Sequence, residues 1–164
     1  MNVAELLLAQ LERETDATRR PLERVPEGKP DWKPHPKSMP LGYLSTLVAT
    51  MFGWIASIVE SEYLDLAGER GPSPSTTSER LALFDQSVEK ARRALGATSD
   101  EHLTGLWQLR VNGKVVDEKP RHVMITDTFS HLAHHRGQLT VYLRLNDQPI
   151  PSIYGPTADE GWGK

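Results

Sequence analysis

Apolar residues recur at helical spacing in four stretches of this chain, separated by segments rich in proline and glycine. In the first, Leu7, Leu11, Thr15, Thr18 and Leu22 share a face, after an Asn2-Val3-Ala4-Glu5 start that fits a capping box. Val25-Pro26-Glu27-Gly28 ends it. The prolines at 26, 30, 34, 36 and 40 then predict an extended, stiff connection. A second helix opens at Pro40, where a missing N–H costs nothing, and carries Leu44, Leu47, Val48, Met51, Ile55 and Ile58 as a broad apolar stripe. The run from Gly68 to Ser75 reads as a loop, and Thr76-Thr77-Ser78-Glu79 as another capping box. Leu81, Phe84, Val88, Ala91 and Leu95 continue that third helix, with Gly96 as its stop.

Between Thr104 and Asp117 the period changes. Trp107, Leu109 and Val111 alternate, Asn112-Gly113 suits a tight turn with positive φ, and Val115-Val116 resumes, which predicts a short β-hairpin. A hairpin alone is marginal in water, so it must pack on the helices. Pro120 opens a fourth helix that runs to about Asn146. Its apolar side carries Ile125, Phe129, Leu132, Leu139 and Leu143, and beside it lies a polar stripe of Thr128, His131, His135, Gln138 and Tyr142. From Pro149 the chain holds too much proline and glycine for helix and should lie along the surface. The expected fold is all-α, a four-helix bundle with a short β-hairpin between helices three and four, in one domain over residues 1–164.

Composition narrows the chemistry. The formal net charge is -3 and basic residues are scattered, so no phosphate-binding footprint for nucleic acid emerges. The chain has no cysteine, which excludes disulfides, thiolate-bound zinc and a thiol nucleophile. Neither a basic leader nor a membrane span is read at the N-terminus, so a cytoplasmic protein is expected.

Three of the six histidines lie in the run His131-Leu132-Ala133-His134-His135-Arg136-Gly137-Gln138. His131 and His135 are spaced i, i+4, so on a helix their imidazoles stack on one face and can reach a common metal ion. The same spacing also suits two hydrogen-bonded histidines. No serine or paired-carboxylate arrangement suggests a metal-free hydrolase.

This run, together with Val141-Tyr142-Leu143-Arg144, Pro151-Ser152-Ile153-Tyr154-Gly155-Pro156-Thr157-Ala158-Asp159-Glu160 and the earlier Trp32-Lys33-Pro34-His35-Pro36-Lys37-Ser38-Met39, resembles the DinB/YfiT-like superfamily. The resemblance covers most of the chain. It implies a four-helix bundle with a metal held by three histidines, one from helix two and an H-x-x-x-H pair from helix four, and water in the remaining positions. The pair maps onto His131 and His135. The third position, seven residues before Trp54, is Leu47, which cannot bind metal. By residue type His134, His35, Asp159, Glu160 or a group from a second subunit could stand in.

By resemblance, the expected activity is that of a metal-dependent hydrolase or thiol S-transferase acting on a small molecule. A zinc, nickel, iron or manganese ion would lower the pKa of bound water or thiol. His134, Arg136, Gln138 and Tyr142 would orient substrate or the ligands, Arg136 serving either an anion or a structural carboxylate. Gly137 would let a neighbouring segment approach closely. Leu47 favours the alternative, a metal-free bundle for small-ligand binding or dimeric interaction. Homodimerisation is a further expectation of the resemblance.

Overall fold

The computed structural model describes residues 2–67 and 73–162. Helix α1 spans Val3–Glu23 and opens on a complete capping box. Asn2 Oδ1 accepts from the Glu5 N–H at 2.8 Å, and the Asn2 N–H donates back to the Glu5 carboxylate at 3.2 Å. The N–H groups of Val3 and Ala4 donate to the carboxylate of Asp100 at 3.0 and 3.1 Å. Helix ends leave such donors without intrahelical partners, and an anion there also meets the positive end of the helix dipole.

The proline-rich connection is not extended. It folds through successive turns and returns to the start of the next helix, where Leu41 N–H donates to Trp32 O at 2.8 Å and Gly42 N–H to Pro30 O at 2.9 Å. Gly42 permits this approach, since a Cβ there would stand 3.0 Å from Pro30 Cβ and 3.1 Å from Pro30 O.

The second apolar stripe forms two helices rather than one, α2 (Leu41–Thr50) and α3 (Phe52–Glu60), bent by 46°. At the bend the Thr50 hydroxyl donates to the Thr46 carbonyl at 2.9 Å, and Trp54 N–H reaches only as far as Met51 O, at 3.0 Å. Hydroxyl back-bonding and a tightened turn of this kind bend helices. Strand β1 (Tyr63–Asp65) follows, and α4 (Thr77–Ala97) opens on the Thr76–Glu79 capping box. Of the loop expected at Gly68 to Ser75, residues 68–72 lie outside the described residues. Gly96 does not stop α4; the helix ends one residue later, where Thr98 turns extended. A short helix, α5 (Asp100–Thr104), is N-capped by Ser99.

Strands β2 (Leu106–Val111) and β3 (Lys114–Pro120) run antiparallel about Asn112 and Gly113, whose φ angles are 50° and 76°. The sheet is mixed rather than a simple hairpin, because β1 pairs parallel to the other edge of β2, with Leu64 opposite Leu109. Asp65 ties this edge to the turn by accepting the Gly113 N–H at 2.7 Å. Arg121, only 3% exposed, fastens the strands' ends: it donates to Leu106 O at 2.7 Å, Ser61 O at 3.1 Å and the Glu62 carboxylate at 2.8 Å.

The last helix, α6 (Arg121–Leu145), starts directly after Pro120. It packs against α1, α2 and α3, and α4 packs against the same three helices from another side. Phe52 lies between Phe84 and Phe129, with ring centroids 5.9 and 6.3 Å away. Leu11, Leu22, Val48, Ile55, Ile125, Leu139 and Leu143 complete the buried centre, whereas Leu47 and Leu81 stand at its margin. Among the described residues no single helix is long and apolar enough to cross a membrane.

Two glycine substitutions should separate tight from open sites. Gly42→Ala drives a methyl against the rigid Pro30 and should cost about 1–3 kcal/mol in denaturant unfolding. Gly137→Ala, in α6 with nothing within 4 Å of a new Cβ, should stabilise by about 0.5–1 kcal/mol.

Candidate functional site

Helix α6 sets His131 and His135 one turn apart, with ring centroids 4.6 Å apart. His135 is 5% exposed, while His131 faces solvent on one side and lies against Trp54 of α3 at 5.7 Å. His135 Nδ1 meets Gln138 Oε1 at 2.8 Å, and its Nε2 meets His131 Nε2, also at 2.8 Å. An amide oxygen only accepts, so Nδ1 of His135 carries the proton and its Nε2 offers a bare lone pair. His131 Nε2–H donates to that lone pair. Burial, followed by the neighbouring His135 and His134, holds the His131 pKa below the usual imidazole value.

The two Nε2 atoms therefore face each other, an outer hydrogen bond to Gln138 fixes one ring, as commonly happens around bound metals, and moving the His131 proton to Nδ1 would free both Nε2 lone pairs for an ion. Two nitrogens on one tetrahedral ion at about 2.05 Å stand roughly 3.3 Å apart, so these rings must open by about half an ångström to share one. Thr128 does not assist them; its hydroxyl donates to the Met124 carbonyl at 2.9 Å.

The other expected members are placed differently. Leu47 packs against the core from α2. The His134 ring lies 5.0 Å from that of His135, at 63°. Tyr142 is buried; its hydroxyl donates to Met39 O at 3.1 Å and its ring meets Trp32 edge-on at 5.4 Å. The possible stand-in ligands are committed elsewhere. His35 Nδ1 accepts the Lys37 N–H at 3.1 Å. Asp159 pairs with Arg144, and Glu160 with Arg20 and Arg24. The Ser152 N–H and Arg24 hold the Glu160 carboxyl down at about 2. Among the described residues no third His, Asp or Glu joins the pair in a metal-binding group.

Arg136 is 1% exposed and makes a structural set of contacts. It donates to Thr18 Oγ1 at 2.8 Å, pairs with the Glu14 carboxylate at 2.8 Å and meets the Tyr154 hydroxyl. Tyr154 in turn donates to Glu14 at 2.7 Å. Burial pushes the Glu14 carboxyl up, but the bonds from Tyr154 and Arg136 outweigh it, and the net shift is downward. Glu14 was missed in the sequence because a lone acid beside a helical apolar stripe reads as solvent-facing. The tail thus lies over α1 and α6, held by Tyr154, Asp159 and Glu160. Gly137 contributes no close approach, as nothing among the described residues comes within 4 Å of its absent side chain.

A cavity of about 170 Å³ adjoins His131, lined by Trp54, Ile58, Leu64, Trp107, Leu109, Met124 and Thr128. Asp117 and Asp127 stand at its edge, bridged by Lys119 Nζ at 2.9 and 3.0 Å. Its walls are mostly apolar, yet the indole N–H of Trp107 is buried without an acceptor. Such a group suits a ligand with an apolar body and one accepting atom.

The family model for the DinB family matches residues 1–162, and the chain belongs to the DinB family. The protein YrdA of Bacillus subtilis (strain 168) is 26% identical over 157 residues, covering 96% of this chain and 90% of YrdA. The crystal structure of a DinB-like protein from Bacillus cereus ATCC 10987 matches with a TM-score of 0.73 at 20% identity, covering 92% of this chain and 97% of that one. A DinB-like protein of Bacillus subtilis, YjoA, gives 0.70 at 16% identity, covering 90% and 97%.

Breaking the buried ion pair from one side should be expensive: Arg136→Met should lose about 3–5 kcal/mol in unfolding experiments, and adding Glu14→Met should restore much of it. Because the folded Glu14 pKa lies below its unfolded value near 4.5, its stabilisation is complete above that pH and is lost as pH falls through the folded pKa. Glu14→Gln should flatten this acid limb in a pH series of unfolding midpoints.

Proposed function

We propose that this DinB-family chain acts on a small molecule with the help of a divalent metal held by only two imidazoles, those of His131 and His135. The observation that carries the reading is the convergence of two Nε2 atoms, 2.8 Å apart, with Gln138 fixing the tautomer of His135. Zinc, nickel, iron and manganese are all compatible with imidazole ligands. A bound ion would supply Lewis acidity, lowering the pKa of a bound water or thiol, which suits a hydrolase or thiol S-transferase. His131 and His135 must both be neutral to serve as ligands, so binding weakens on acidification. In this reading the cavity beside His131 takes the apolar part of the substrate, the Trp107 indole donates to an accepting atom, and His134 faces the approach. Arg136 and Tyr142 support the site through the packing of α6 rather than by touching substrate.

Leu47 favours a second reading, a metal-free module that binds a small ligand in the same cavity. There the His131–His135 hydrogen bond satisfies the pair without an ion. In either reading we take the chain as a single cytoplasmic domain, a four-helix bundle in which α2 and α3 together form the second helix. A homodimer paired through its helices follows from the family resemblance; light scattering on the purified protein measures it.

Metal analysis of untagged protein, loaded with each ion and then dialysed, separates the two readings. Near-stoichiometric metal that disappears in His131→Ala supports the first. Empty protein after every loading sinks it and leaves the second. Leu47→His should tighten metal binding by about tenfold or more, ~1.4 kcal/mol, by restoring a third imidazole.

A further inference from the structure

Far along the chain from the histidine pair, Arg80 lies in the first turns of α4 and is 3% exposed. Its Nε and Nη1 atoms are buried and have no hydrogen-bond partner. A guanidinium keeps its charge at any working pH, so burying it without a full set of acceptors is unfavourable. The position compounds this, since a cation near a helix N-terminus opposes the helix dipole. Burial accordingly pushes the Arg80 pKa down, with Glu27 opposing.

Arg80 lines a cavity of about 160 Å³ between the turn at residues 25–30, the start of α2 and the Pro74-Ser75 segment. Lys29 lines it as well, and its Nζ donates to Asn146 Oδ1 at 3.1 Å. Glu27 is the one carboxylate among the lining residues, and it accepts the Thr77 N–H at 2.7 Å. It makes no hydrogen bond to Arg80. Two neighbouring residues have their donors engaged: Gly42 N–H goes to Pro30 O, and Ser75 donates through both N–H and hydroxyl to Glu79. Among the described residues, Arg80 and Lys29 thus line the cavity with one carboxylate, Glu27, which already accepts from the first turn of α4.

We propose that this cavity is a binding site for a small oxyanion, a phosphate or carboxylate group, held by Arg80 and Lys29. An oxyanion offers several acceptor oxygens and a compensating charge, which neither water nor an apolar ligand supplies. The volume has room for several water molecules at about 30 Å³ each, or for one such group. The site uses elements other than the histidine pair, so it stands or falls independently of the proposed metal chemistry.

Calorimetric titration of the full chain with inorganic phosphate, and separately with acetate, tests the site at constant ionic strength in chloride. Saturable binding of either anion is the expected result; phosphate alone marks a tetrahedral ligand and acetate alone a carboxylate. In Arg80→Met, checked for folding by circular dichroism, the binding should vanish. Lys29→Gln, at an exposed position, should weaken it by about tenfold. The proposal is overturned if neither anion binds saturably, or if a folded Arg80→Met binds as the wild type does. Should Arg80→Met fail to fold, unchanged affinity in Lys29→Gln overturns it equally.

Discussion

The architecture turns on one buried charge. Arg136 sits in the middle of α6 at 1% exposure, and its guanidinium is tolerable there only because Glu14 of α1, Thr18 and Tyr154 surround it. Successive residues on a helix point about 100° apart, so fixing Arg136 against α1 fixes the rotation of α6 as a whole. His131 is set against Trp54 of α3 as a result. The tail is recruited into the same arrangement. Tyr154 is 63% exposed overall, yet its hydroxyl reaches in to bridge acid and base.

Different faces of α6 thus hold two polar systems of contrasting character. The arginine system is densely paired, with both Nη atoms of Arg136 bonded and the Glu14 carboxylate held ionised. The histidine system is a short relay, Gln138 to His135 to His131, with one lone pair directed at a neighbour that can be displaced. A densely paired network specifies structure, whereas a relay with a movable end can exchange a proton or accept an ion. The apolar cavity next to His131, with the unsatisfied indole of Trp107, lies on the side of the relay.

Much of the fold was legible because it is written in local chemistry. Both capping boxes, at Asn2–Glu5 and Thr76–Glu79, close as their spacing requires. Asn112 and Gly113 take the positive φ angles that their pairing suggests. The histidine pair was equally plain from spacing. What escaped were features decided by distant partners. Strand β1 is three residues long and exists because β2 offers it an edge. The bend at Met51 depends on a threonine hydroxyl, invisible to a pattern of apolar positions. Buried Glu14, Arg80 and Arg121 look like surface residues in sequence, since a charge carries no sign of the neighbour that will cover it. The proline-rich connection misled for the reverse reason: prolines restrict each residue locally, but turns between them reverse the chain.

Helix α1 is bound at both ends by residues made much later. Its opening N–H groups are capped by Asp100, 97 and 96 positions away, and its last turns are clasped by Glu160, up to 140 positions on. A ribosome makes α1 before these partners, so its opening cap and the clasp on its last turns form only after the later segments emerge. Contacts so remote in sequence carry a large loop-closure cost before they contribute, which slows folding relative to a bundle of adjacent hairpins. The first helix of this fold is thus completed by segments that lie far beyond it in the chain.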